Sequence, residues 1–350
     1  MRKTISIGVV GIGFGQQVLV PAFRSDPRCV VSGICANRFE RAQEVANKLK
    51  IPRAYRDPGE LAADSEISAI AFATPPGVQT GAGLAAARAG KHLFCEKPLA
   101  LDVSQGRELL AAVQSQHVVH AMDFEFAEVD AWKQARHILR DGALGKIRQV
   151  VVAWRVETYS YRAQTQSWKT RPESGGGTLN NFASHTFFYL EWLFGPIARL
   201  AARLTPREGA GAEARADLWL EFEAGFPGNA AIAADAFLGP GHRLEVYGDA
   251  GSFVLENPTS DYMRGFTLRM ASRKTGQFEN VAVAQDTEAQ DGRIAPVSRI
   301  VSRFLDAIEN GSEMSPNLRD GLRVQVLIDA ARAGDRTGSW QSVTESAAAP

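Results

Sequence analysis

The stretch HLFCEKPLA (92–100) puts Lys97 between Glu96 and Pro98, directly after an apolar run. A core strand rarely ends on two opposite charges, and an exposed lysine rarely needs a proline to fix the chain behind it. An amine held at such a point can hydrogen-bond a carbonyl oxygen and help move a proton. A second chemical element is GIGFGQ (11–16). Gly11 permits a tight turn, Gly13 lets the backbone approach a pyrophosphate, and a helix beginning there offers unpaired N–H groups. The third glycine of G-x-G-x-x-G is replaced by Gln16, with Gly15 one place early. On its own this reads equally well as an ordinary glycine-rich turn. A strand before it, a helix after it and its place near the chain start turn the reading to a dinucleotide.

The next apolar run ends ICANRFER, where a ribose with a free 2′-hydroxyl would call for an acid. Ala36, Asn37 and Arg38 stand there instead. Arg38 can pair with a 2′-phosphate while Asn37 donates a hydrogen bond. Alternatively Asn37 caps the following helix and Arg38 is solvated. The missing acid favours NADP(H), with NAD(H) the alternative. Further on, GGGTLNNFASHTFFYLEWLFG (175–195) carries His185, which by itself reads as a helix histidine satisfied in the interior. Tyr159, Tyr161, Arg162 and Arg171 lie in the loop before the glycine run, where side chains face ligand or solvent.

The elements that must position these residues fall into two patterns. Through residue 122, apolar runs at 5–10, 29–36, 67–73, 92–96 and 117–122 alternate with helical segments starting near Gln16 and over 38–49, 78–89 and 102–116. Runs without polar alternation suit a parallel sheet buried on both faces. The expected class is α/β: an N-terminal Rossmann doubly wound parallel sheet over 1–122. After Asp123 a helix over about 127–141 precedes longer strands at 146–157, 216–224, 230–238 and 243–249, with helices near 177–194, 296–310 and 317–333. Partial alternation predicts a C-terminal α+β domain, 123–340, with a large, mostly antiparallel open sheet. The last helices are free to pack back on the first domain. Alternating apolar residues in ADLWLEFEA and AAIAADAFL suggest a sheet face that pairs with another subunit.

Composition narrows the partners. The 350 residues suit two domains. Lys plus Arg equals Asp plus Glu at 39 each, so no net field draws nucleic acid or an anionic membrane. Cys29, Cys35 and Cys95 sit in apolar runs without zinc spacing, which suits core thiols of a reducing compartment and no metal. The N-terminal apolar stretch, broken by Gly8, Gly11 and Gly13, reads as a first strand, and a cytoplasmic protein is expected.

Taken together, the motifs resemble the glucose–fructose oxidoreductase and inositol dehydrogenase family, Gfo/Idh/MocA, over nearly the whole chain. The resemblance rests on GIGFG, ATPP (73–76), AGKHLFCEKPLA (89–100), DGALGKI (141–147), SGGGTL…SH…LFG (174–195) and F-x-x-A-I-x-x-G (304–311). It implies that Lys97 sits beside the nicotinamide and the substrate hydroxyl, with a cis Lys97–Pro98 peptide. It implies cofactor contacts from Gly11, Ile12, Gly13, Phe14, Gly15, Gln16, Asn37, Arg38, Thr74, Pro75, Glu96 and Lys97. Gln79, where the family often has a histidine, and Trp168 are implied near the cofactor, with Lys169 in place of a usual arginine. His185 matches the family histidine and is implied as the acceptor of a substrate hydroxyl proton, while Asn181 and Phe188 replace two aspartates; Tyr159, Tyr161, Arg162 and Arg171 are implied as sugar-site residues or face solvent. Asn181 can orient an imidazole or a hydroxyl but cannot stabilise an imidazolium by charge. The implied reaction passes a hydride between nicotinamide and a hydroxyl or ketone carbon of a sugar, sugar nucleotide or cyclitol, with Lys97, His185 and Asn181 at the proton step. The alternatives are an enzyme that keeps NAD(P) bound through a transient oxidation and elimination, and a non-catalytic NADP-binding regulator. A homodimer or homotetramer is implied, as is the part of the C-terminal domain in substrate binding and oligomerisation.

Overall fold

The computed structural model describes residues 4–207, 211–286 and 291–343. Along the first part of the chain run β1 (Ile5–Val10), a π-helical turn (Gly15–Leu19) continuing into α1 (Val20–Arg24), β2 (Cys29–Cys35) and α2 (Phe39–Leu49). They are followed by β3 (Arg53–Tyr55), α3 (Pro58–Ala63), β4 (Ala69–Phe72), α4 (Pro76–Arg88), β5 (His92–Cys95), α5 (Val103–Ser115) and β6 (His120–Met122). Next come α6 (Asp130–Arg140), β7 (Ile147–Arg155), α7 (Tyr159–Arg162), a second π-helical turn (Leu179–Ala183) and α8 (Ser184–Phe194). The strands β8 (Ile197–Pro206), β9 (Glu213–Phe222), β10 (Pro227–Ala233), β11 (Gly241–Gly248), β12 (Gly251–Asn257), β13 (Thr267–Ser272) and β14 (Glu279–Val281) follow. The chain ends in α9 (Ile294–Asn310), α10 (Leu318–Thr337) and the short β15 (Gln341–Ser342).

Two compact units emerge: Met1–Glu125 with Ala289–Gln325, and Phe126–Glu288 with Val326–Pro350. The first holds a six-stranded, all-parallel sheet in the order β3-β2-β1-β4-β5-β6, the doubly wound arrangement expected. β4 and the last three residues of β5 are wholly buried, which explains their unbroken apolar sequence. Phe94 of β5 meets Phe23 of α1 and Phe304 of α9 edge to face, at 5.4 and 5.7 Å between ring centroids. Aromatic packing of this kind fixes β5, the strand that delivers Lys97. Capping sets the helix starts: Asp57 accepts from the backbone N–H groups of Gly59 and Glu60 before α3, and Asp102 from that of Gln105 before α5. β6 is shorter than the apolar run HVVHAM because His117 has φ 52° and Val118 N donates to Val113 O, completing the end of α5.

The second unit holds a nine-stranded sheet in the order β14-β13-β12-β11-β7-β10-β9-β8-β15. Its described pairings are antiparallel except β7 with β10. Ala216, Leu218, Leu220 and Phe222 of β9 point inward and are buried, so that alternation is satisfied within the chain. The other face of β9 shows Arg215, Asp217, Trp219 and Glu221, with Trp219 49 % exposed. Among the described residues no helix is long and apolar enough to cross a membrane, and no His, Cys, Asp and Glu cluster could hold a metal.

Candidate active site

The glycine turn of the first unit is built as phosphate chemistry needs. Gly11 has φ +105°, and its N–H donates to Cys35 O at 2.9 Å. A Cβ there would lie 2.3 Å from Ala73 O, so only glycine lets the turn cross the end of β4. A Cβ on Gly13 would meet nothing within 4 Å, leaving open space in front of the following helix. Gly15 is buried, and a Cβ on it would stand 3.0 Å from the Val9 side chain. The close helix-to-strand packing usually given to a third glycine thus falls to Gly15. Ile12, Phe14 and Gln16 are half-buried around the turn. Thr74 and Pro75, also half-buried, follow β4, and Thr74 Oγ1 is buried with no hydrogen-bond partner among the described residues. An open cradle, a helix start and an unmet hydroxyl beside them fit a bound dinucleotide phosphate.

Asn37 and Arg38 follow β2 and are exposed. Arg38 itself is the cap residue of α2, and no side chain makes a cap hydrogen bond there. The capping alternative for Asn37 therefore does not occur, and both side chains stand available to a ligand.

Lys97 and Glu96 follow β5 at the carboxyl end of the sheet, half-buried, and the Lys97–Pro98 peptide is cis. The loop is held from within. Gln79 on α4 is completely buried, and its Nε2 donates to the carbonyls of Glu96, Pro98 and Leu99 at 2.7, 3.2 and 3.2 Å. Its amide thus fixes the backbone that carries Lys97.

The same loop meets two acids that composition and motif did not single out. Asp123 and Glu125 lie buried just after β6. Burial first, and then the charge of Glu96, push the Asp123 carboxyl well above the usual range and the Glu125 carboxyl up to about 7. Lys97 pulls both back in part. The signal was the pair of acids in the apolar run HAMDFEF. Arg293, beside α9, lies over the Phe14 ring at 5.2 Å and pairs with Asp291 at 2.6 Å.

In the second unit the glycine run is a packing device. A Cβ on Gly176 would sit 2.5 Å from Trp168 O, and one on Gly177, at φ +108°, would strike the Glu213 carboxylate at 2.3 Å. Glu213 accepts from Leu179 N at 3.0 Å and its carbonyl from Thr178 Oγ1 at 3.0 Å. An acid thereby seats the N-terminal turn of the helix bearing Asn181 and His185. Asn181 Nδ2 donates to Gly177 O at 2.8 Å and Lys169 O at 3.4 Å, tying the Trp168 segment to that helix. His185, buried, lies edge-on to Phe126 with ring centroids 5.1 Å apart. Phe188, also buried, belongs to the same helix. Trp168 is half-buried with Lys169 Nζ 5.7 Å from its ring centroid. Tyr159, Arg162 and Arg171 are exposed, whereas the Tyr161 ring lies under Arg207 at 5.1 Å. Sequence reading also passed over His242. It stacks on Trp154 at 4.1 Å, shares a hydrogen bond with Tyr189 at 3.0 Å, and burial lowers its pKa to about 3. It stays neutral and structural.

A parallel sheet in Rossmann order, a glycine turn open toward a helix start and a lysine at the sheet's carboxyl end define a dinucleotide-dependent oxidoreductase. The comparisons agree. Residues 5–124 match the model of the oxidoreductase family with an NAD-binding Rossmann fold, and residues 136–343 match that family's C-terminal alpha/beta domain. The chain belongs to this Gfo/Idh/MocA family and is an NAD(P)-dependent enzyme of it. An uncharacterized oxidoreductase of Synechocystis is 33% identical over 97% of this chain and 96% of its own length. The levoglucosan dehydrogenase of Pseudarthrobacter phenanthrenivorans is 23% identical over 98% of this chain and 99% of its own. A solved levoglucosan dehydrogenase complex with NADH and levoglucosan superposes with a TM-score of 0.87 at 22% identity, covering 98% and 100% of the two chains, and shares the fold.

Proposed function

We propose that this enzyme moves a hydride between nicotinamide and a hydroxyl-bearing carbon of a sugar or cyclitol, with Lys97 and His185 handling the proton. The observation that carries the reading is Lys97 at the carboxyl end of the parallel sheet, where such folds bind their ligands, on a loop clamped by Gln79. The glycine turn Gly11–Gln16, Thr74 and Pro75 would hold the pyrophosphate. When bound, the nicotinamide supplies the acceptor or donor of the hydride. The chain's own part is to bind, orient and move protons. In oxidation Lys97 helps to take the hydroxyl proton; in reduction it donates to the carbonyl oxygen. His185 shares with Lys97 the handling of that one hydroxyl proton, and Asn181, through Gly177 and Lys169, holds the segment of Trp168. Tyr159, Arg162 and Arg171 are exposed donors suited to sugar hydroxyls, and a relative named for levoglucosan supports that substrate class.

For the cofactor, we infer a preference for NADP(H), because Asn37 and Arg38 are exposed and, with Ala36, stand directly after β2 where an acid would repel a 2′-phosphate. Self-association to a dimer or tetramer through the outer face of the nine-stranded sheet is supported by exposed Trp219. The test of function is reduced-nicotinamide formation with levoglucosan, D-glucose and myo-inositol as probes. Growth of reduced cofactor with at least one supports the reading, and none with any of them, in either direction, sinks it.

A further inference from the structure

Three carboxyls meet beside Lys97. Glu96 precedes it. Asp123 follows β6, whose Met122 is in register with Cys95, and its N–H donates to Cys95 O at 2.8 Å. Glu125 is two residues on, and both acids are buried. Among the described residues no donor reaches either carboxylate oxygen of Asp123 or Oε2 of Glu125. Burial first, and then the charges of Glu96 and Glu125, raise the pKa of the Asp123 carboxyl. Buried carboxylates that act on one another repel, whereas a carboxyl and a carboxylate can share a proton. The surrounding charges agree. The cations facing Glu125 are Lys97 and Arg293, and Arg293 is already paired with Asp291.

We propose that Asp123 and Glu125, together with Glu96, form a buried proton store that exchanges protons with the Lys97 amine. The two acids are then positioning residues for the proton step, acting through the lysine, and the idea rests on the function proposed above. In oxidation the substrate C–H pair leaves as hydride to the cofactor, and the O–H electrons close the carbonyl. The hydroxyl proton goes to the Lys97 amine and on to the Glu125 carboxylate, which restores the neutral amine. Reduction runs the same steps backward, and nothing further is consumed. The upward push on both acids, from burial and then from Glu96, supports a store that is protonated near neutrality.

The test is an infrared-monitored pH titration of the full chain without added substrate. The wild type should show the carbonyl stretch of a protonated carboxyl that disappears with a midpoint near about 7. Glu125→Gln and Asp123→Asn, both near-isosteric, should each remove or displace that band. Lys97→Met should move its midpoint upward by roughly one pH unit or more, because a neighbouring cation favours the carboxylate. Absence of the band in wild type, its persistence unchanged in both acid variants, or an unmoved midpoint in Lys97→Met each overturns the proposal. With levoglucosan as probe, Glu125→Gln should flatten the acid limb of the kcat profile for oxidation and lower kcat by roughly tenfold above it. A profile superimposed on that of wild type overturns the exchange with Lys97. Failure of every sugar probe instead bears on the proposed function, and the infrared arms still decide the store.

Discussion

Replacing Gln79 by methionine isolates what the buried amide does for the catalytic loop. The two side chains are close in volume, so little cavity or overpacking enters. Nε2 carries two hydrogens for three carbonyls, those of Glu96, Pro98 and Leu99, at 2.7, 3.2 and 3.2 Å. Losing two neutral hydrogen bonds costs ~2 kcal/mol, and leaving buried carbonyls without a donor adds ~1 kcal/mol or more. Against this, Gln79 Oε1 is itself buried with no partner among the described residues, so its removal gives back ~1 kcal/mol. The net expectation is a destabilisation of ~1–3 kcal/mol. Urea unfolding should show it as a lower midpoint at unchanged slope. Turnover should fall further than stability alone explains, since displacing Lys97 by ~1 Å is enough for a loss on the order of a hundredfold. An unchanged or higher midpoint would refute the clamp.

Arg38→Ala should weaken NADP(H) by about tenfold or more, a charge-assisted contact being worth ~1.5–3 kcal/mol, and leave NAD(H) nearly untouched; calorimetric titration of both cofactors decides, and equal losses contradict the preference. Stability should fall as pH rises from the unfolded value of 4.5 for Glu125 through about 7, because in that window the fold keeps a proton that the unfolded chain releases. Asp123 contributes with the same sign, and Glu125→Gln should flatten the trend in urea midpoints compared at about pH 5 and about pH 8. Trp219→Glu on the outer sheet face should shift the protein toward monomer by light scattering at micromolar concentration, and a wild type already monomeric refutes the interface.

Much of the fold was legible because its signals are local. β1 and β5 stand out as unbroken apolar runs, and α2 and the last two helices as helical segments, clearly enough to be placed from the sequence alone. β3 and β15, three and two residues long, carry no period to read and exist through their partners β2 and β8. At the site, Lys97 and the glycine turn announced themselves by type and spacing. Gln79 did not reveal its part, since a glutamine on an Ala- and Gly-rich helix says nothing of three carbonyls about twenty residues away. Glu213 and Arg293 were hidden for the same reason, each acting across a long stretch of chain. In the sequence Asp123 marks only the point where the pattern changes and Glu125 draws no notice; their burial sets them apart.

The central claim is best tested with Lys97→Ala, measured for turnover and for cofactor affinity on the same preparation. The account predicts that oxidation of a sugar or cyclitol substrate accepted by the wild type nearly disappears, by a factor on the order of a hundred or more, because the lysine acts chiefly in the transition state. Cofactor affinity should stay within a few-fold of wild type. A variant that turns over at the wild-type rate, or that loses activity only by losing cofactor, would contradict it.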